Sequence, residues 1–150
     1  MSNGSDIPAG FEPVQRIQPH TFGGLVGPFY AKRAGSVISL GVRIEERHLN
    51  SRGTCHGGLI ATMADIALGY ACVAAATEGS RNFVTIDLSV EYLAAARAGD
   101  WLHSEVSVLN AGTRTASASG FLCVGDTQVA RISANFRMAK TQSPKPVEPS

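Results

Sequence analysis

Apolar and polar residues alternate cleanly between Gly35 and Glu45. Ile38, Leu40, Val42 and Ile44 share one face, and Ser39, Gly41 and Arg43 share the other, which predicts a half-buried strand. The same period of two returns four times further on. Val84, Ile86, Leu88 and Val90 interleave with Thr85, Asp87, Ser89 and Glu91. Leu102–Leu109 follows the turn signal Ala98-Gly99-Asp100, and Arg114–Val124 lies between Asn110-Ala111-Gly112 and Gly125-Asp126. Gln128–Met138 places Ala130, Ile132, Ala134 and Phe136 on one side. Short connections carrying Gly, Asn or Asp have the chemistry of hairpins. Near the N-terminus, FGGLVGPFY (Phe22–Tyr30) carries turn signals and an apolar patch that lead into a further short strand, and His48–Thr54 reads as a loop.

One segment breaks the alternation. From Gly57 to Ala76 the chain runs for twenty largely apolar residues with the single charge of Asp65. That length could span a bilayer. The segment is rich in Ala and Gly rather than Leu, and it stands alone amid amphipathic strand sequence, so it reads as a soluble helix buried on nearly every side. The predicted order is strand, strand, long helix, then four strands. An antiparallel sheet curled around a single helix satisfies that order and defines an α+β class. Gly57, Gly58, Ala61, Ala64, Ala67, Gly69 and Ala71 are small enough to let the sheet approach closely.

The 150 residues, 44% hydrophobic, suffice for one domain with a sizeable core. It is placed at 11–140, between polar, Pro/Ser-containing ends (1–10 and 141–150) expected to be mobile. Thirteen basic against twelve acidic residues give a net charge of +1, which offers nothing to nucleic acid. Cys55, Cys72 and Cys123 are odd in number and widely spaced. They read as small buried residues of a reducing compartment. With no basic and apolar leader at the N-terminus, the cytoplasm is the expected location, with no membrane partner.

Asp65 is the sharpest chemical feature. A carboxylate inside an apolar helix must find partners, shift its pKa upward or face a cavity; capping another backbone element or pairing with an arginine would be purely structural answers. Asn50 and His56-Gly57-Gly58 sit at the mouth of the same helix. Helix N-termini present free N–H groups and a positive dipole end, suited to a developing oxyanion. The plainer reading is that the glycines ease a loop–helix junction and His56 caps it. Cys55 beside His56 is a poor nucleophile pair, because consecutive side chains diverge. His20, His48, His56 and His103 make no metal-ligand spacing, and no glycine-rich segment matches a nucleotide fingerprint. No metal or redox cofactor is expected. Thr85, on the polar face of its strand, is neutral evidence.

Asn50, His56-Gly57-Gly58, Asp65, Val84-Thr85-Ile86-Asp87-Leu88 and Tyr92 together resemble the hotdog-fold acyl-CoA thioesterases of the phenylacetate-degradation (PaaI) type, from about Gly27-Pro28-Phe29-Tyr30 to Arg137. The resemblance implies a sheet wrapped around one helix. It makes Asp65 the general base or nucleophile and Gly57 N–H the donor that polarises the thioester carbonyl. Asn50 and His56 would hold the carbonyl or the attacking water, and Thr85 would orient that water. It further implies an acyl-CoA substrate, aromatic or medium-chain, and a homodimer, often doubled to a tetramer. Helix geometry points to shared sites independently. Nine residues separate His56 from Asp65, about 900° of rotation and about 13.5 Å of rise, so both can serve one carbonyl only if they come from different chains. A same-fold enoyl-thioester hydratase and a non-catalytic acyl-CoA binding module are the competing readings.

Overall fold

The computed structural model describes residues 6–76 and 82–139. Its strands are β1 (Glu12–Pro13), β2 (Tyr30–Ala34), β3 (Val37–Arg43), β4 (Phe83–Tyr92), β5 (Trp101–Ala111), β6 (Thr115–Val124) and β7 (Thr127–Met138). The helices are α1 (Phe22–Val26) and α2 (Gly57–Ala75), with a single 3-10 turn at Glu46–His48. Among the described residues the strands form one antiparallel sheet in the order β1-β2-β3-β5-β6-β7-β4. The predicted α+β arrangement of one sheet against one long helix is what the chain adopts. Two small elements escape the periodicity reading: β1 has two residues, and Phe22–Val26 is a helical turn rather than an approach to a strand.

α2 lies across β3 to β7. Leu59, Ile60, Met63, Ala64, Ala67, Leu68, Ala71 and Cys72 are buried against Leu40, Val42, Ile44, Leu102, Leu122, Ile132 and Phe136. At about 1.5–3 kcal/mol for each large side chain removed from water, this layer is the principal favourable term of the fold. One expectation fails here. The helix is not covered on nearly every side, because the sheet reaches only one stripe of it. Gly58, Ala61, Thr62, Asp65, Ile66, Gly69, Tyr70 and Val73, at the complementary helical spacing, remain partly or wholly exposed. The helix is long and apolar enough to cross a membrane, yet its best-packed stripe is the core of the domain.

β4 departs from its predicted pattern. A bulge lies between Thr85 and Asp87, so Thr85 pairs with Phe136 while Leu88 pairs with Ala134. Phe136 and Ala134 are buried under α2, and Thr85 therefore joins Leu88 and Val90 on the helix side. Simple alternation put it on the opposite face. Cys55, Cys72 and Cys123 are free and buried, as expected. Of the ends read as mobile, residues 1–5 and 141–150 lie outside the described residues, as does residue 140 of the domain. Residues 6–10 are packed: the Asp6 carbonyl accepts from the Arg43 guanidinium, and the Pro8 carbonyl accepts from Phe11 N–H.

Candidate active site

The mouth of α2 is built by the segment before it. Asn50 Oδ1 accepts from the N–H groups of Arg52 (2.9 Å) and Thr54 (3.3 Å), and its Nδ2 donates to Thr54 Oγ1 (3.0 Å). This is an Asx turn, which shapes a loop without secondary structure. The amide of Asn50 is thereby committed to its own loop. His48 is buried; its Nδ1 accepts from Glu45 N–H (2.9 Å) and its carbonyl takes His56 N–H (2.8 Å). Burial lowers the His48 pKa, and the Arg47 charge adds to this; the Val26 carbonyl and Glu45 act the other way. Arg47 also donates to the carbonyls of Leu25 and Gly27, tying α1 to the loop.

α2 starts where the sequence placed it. His56 is the N-cap in extended conformation, and its Nδ1 accepts from Gly58 N–H at 2.8 Å. The plain reading of His56 as a cap is therefore correct. It also fixes the neutral ring with its proton on Nε2, since Nδ1 is an acceptor. The ring is exposed, leaving Nε2–H available. His56 carbonyl accepts from Leu59 and Ile60. Among the described residues no acceptor takes Gly57 N–H, a free donor at the positive end of a nineteen-residue helix.

Tyr92, quoted in the sequence only as part of a pattern, has a definite place. Its hydroxyl donates to the Gly57 carbonyl at 2.7 Å. A Cβ on residue 57 would lie 3.2 Å from the tyrosine ring, so glycine is what allows the aromatic ring to brace the helix mouth. The signal was available. Leu88, Val90 and Tyr92 continue one strand face toward the helix.

Asp65 lies on the open stripe, two and a half turns along, and is half-buried rather than enclosed. Its partner is neither a backbone end nor an arginine. Thr85 Oγ1 donates to Asp65 Oδ1 at 2.5 Å, a contact created by the β4 bulge. One carboxylate oxygen is thus held by the threonine hydroxyl. Because α2 runs unbroken from Gly57 to Ala75, Asp65 stays about 13.5 Å along the axis from His56. Two separate clusters result: Gly57 with His56 and Tyr92, and Asp65 with Thr85. Asn50 joins neither by a hydrogen bond. Cys55 offers no nucleophile, because burial pushes its thiol up to about 11.

An antiparallel sheet laid over one long helix is the hotdog arrangement. The chain belongs to the thioesterase superfamily, whose family model matches residues 52–131 and so takes in both clusters. It is 39% identical over 134 residues to a candidate esterase of Pseudomonas aeruginosa, covering 89% of this chain and 98% of that one. It is 33% identical over 78 residues to mouse acyl-coenzyme A thioesterase 13, covering 52% of this chain and 54% of the other. In structure it resembles the Escherichia coli PaaI protein from the phenylacetic acid degradation operon, with a TM-score of 0.67 over 75% of this chain and 80% of that one. At 20% identity that likeness concerns the fold.

Proposed function

We propose that this protein is an acyl-CoA thioesterase, cleaving an acyl- or aryl-acyl-CoA to the free acid and CoA at a site shared by two protomers. The observation that carries the reading is the unclaimed Gly57 N–H at the N-terminus of α2. A thioester oxygen placed there gains charge as the carbonyl is attacked, and a preorganised donor stabilises that charge most in the transition state. His56 Nε2–H is a second donor at the same mouth. Asp65 of the partner protomer, with one oxygen held by Thr85, takes a proton from water as the water oxygen bonds to the carbonyl carbon, or attacks that carbon itself. Collapse of the tetrahedral intermediate expels the CoA sulfur, which is protonated to the free thiol; where Asp65 itself has attacked, the mixed anhydride so formed is then hydrolysed by water, releasing the free acid and restoring the carboxylate.

The thioester carbonyl is already electrophilic, so one carboxylate and this donor set suffice without a metal or redox cofactor. The likeness to mouse acyl-coenzyme A thioesterase 13 supports a CoA ester as substrate. The exposed edge of β4 and the open stripe of α2 support a homodimer; its doubling to a tetramer is implied by the family resemblance alone, and the cytoplasm is the proposed location. The test is a panel of saturated aromatic and medium-chain acyl-CoAs assayed for thiol release. Release from at least one of them, at a rate that depends on Asp65, is expected. A hydratase or a binding module would release no thiol from any saturated member, and that outcome overturns the reading.

A further inference from the structure

On the face of the sheet turned away from α2, a groove of about 910 Å³ runs over β3, β5 and β6, walled by Phe11, Trp101 and Phe121. His103 and Glu105 project into it from alternate positions of β5. Cys123 of β6 is the direct cross-strand partner of His103. The ligating atoms of His103, Glu105 and Cys123 all lie within 4.8 Å of one another, and His103 Nε2 is 3.4 Å from Glu105 Oε1. For nitrogen and oxygen ligands held about 2.0–2.1 Å from a tetrahedral ion, the edge of the tetrahedron is about 3.3 Å. The His–Glu pair already has that spacing.

We propose that His103, Glu105 and Cys123 form a site for a borderline-soft divalent cation of the zinc type, with the fourth coordination position open to the groove. One imidazole nitrogen, one thiolate and one carboxylate are the donor set that such an ion favours. The three are graded in depth: Cys123 is 3% exposed, the His103 side chain 22% and the Glu105 side chain 65%. Sulfur thus forms the floor and the carboxylate the rim, leaving the free position on the groove side. Binding replaces the thiol proton, which passes to water, and involves no change of oxidation state. The sequence concealed the site because 19 residues lie between His103 and Cys123 along the chain, whereas the β5–β6 register sets them side by side.

The probe is Co(II), titrated into metal-free protein of full length. Near-stoichiometric growth of a near-ultraviolet thiolate-to-cobalt charge-transfer band, displaced by Zn(II), is expected. Cys123→Ser should abolish the band, His103→Gln should weaken binding at least ~100-fold, beyond the loss typical of removing a supporting residue, and Cys55→Ser should leave the band unchanged. Zn(II) should raise the melting temperature of the parent protein and not that of His103→Gln, which serves if Cys123→Ser does not fold. Absence of the band in the parent, or an unaltered titration in His103→Gln, overturns the site. None of these readouts depends on thioester hydrolysis.

Discussion

At the scale of single residues, the informative contact is Thr85 on Asp65. The threonine hydroxyl donates to one carboxylate oxygen at 2.5 Å. Asp65→Asn keeps the shape but cannot accept the proton; kcat should fall at least ~10²-fold, with unchanged circular dichroism. Thr85→Ala should lower kcat less, and Thr85→Ser should restore it, because only the hydroxyl is required. Asp65 was legible as an isolated charge in an apolar run, whereas Thr85 entered only through the family resemblance, since the bulge that turns it toward the helix leaves no mark on the alternation. His48 gives a second prediction. Its pKa lies below the ordinary 6.5 because the buried imidazolium is poorly solvated, with the Arg47 charge adding to the effect. The unfolded chain therefore takes up the proton first as the pH falls. The stability supplied by the neutral ring is complete above 6.5 and is lost progressively as the pH drops through 6.5 toward the folded-state pKa. His48→Asn, whose Oδ1 can still accept Glu45 N–H, should flatten the fall in urea midpoint between about pH 7 and about pH 5.

At the scale of elements, the proposed chemistry rests on the helix mouth. Gly57→Pro removes the N–H at the first helical position, where proline is tolerated. It should cost about 2.7–4 kcal/mol of transition-state stabilisation, with helix content retained. Gly57→Ala keeps the N–H and asks the Tyr92 ring to yield by a few tenths of an ångström; it should retain far more activity than the proline variant. Equal losses in the two would assign the effect to Tyr92 packing rather than to the donor. The start of α2, β3 and the three long strands β5 to β7 were legible because each has a strict period and glycine-bearing turns. β1 and α1 were not. Two strand residues ending in Pro13, and a five-residue turn containing Gly23 and Gly24, are too short to express a period and are held by what packs on them. The exposed stripe of α2 was likewise invisible, since Ala61, Ile66, Gly69 and Val73 are as apolar as the residues that face the sheet.

At the scale of the molecule, that stripe and the free edge of β4 belong together. β4 ends the sheet with ten residues, and Val84, Ile86 and Tyr92 are 36%, 56% and 54% exposed. A long apolar edge of this kind invites pairing with another strand. Two copies joined there about a twofold axis would extend the sheet and bring their α2 stripes alongside each other, which is where a partner's Asp65 must come from to meet Gly57. Complementation tests this arrangement. Gly57→Pro and Asp65→Asn chains, each crippled alone, are given different affinity tags and co-expressed, and the mixed dimers are isolated. In a mixed dimer one site inherits both lesions, and the other combines an intact Gly57 with an intact Asp65. Twofold symmetry then predicts about half of the parent activity per dimer. Mixed dimers as inactive as either parent would mean that each site is contained within one chain. The unbroken helix from Gly57 to Ala75 would then have to bend in solution to bring its two ends of chemistry together.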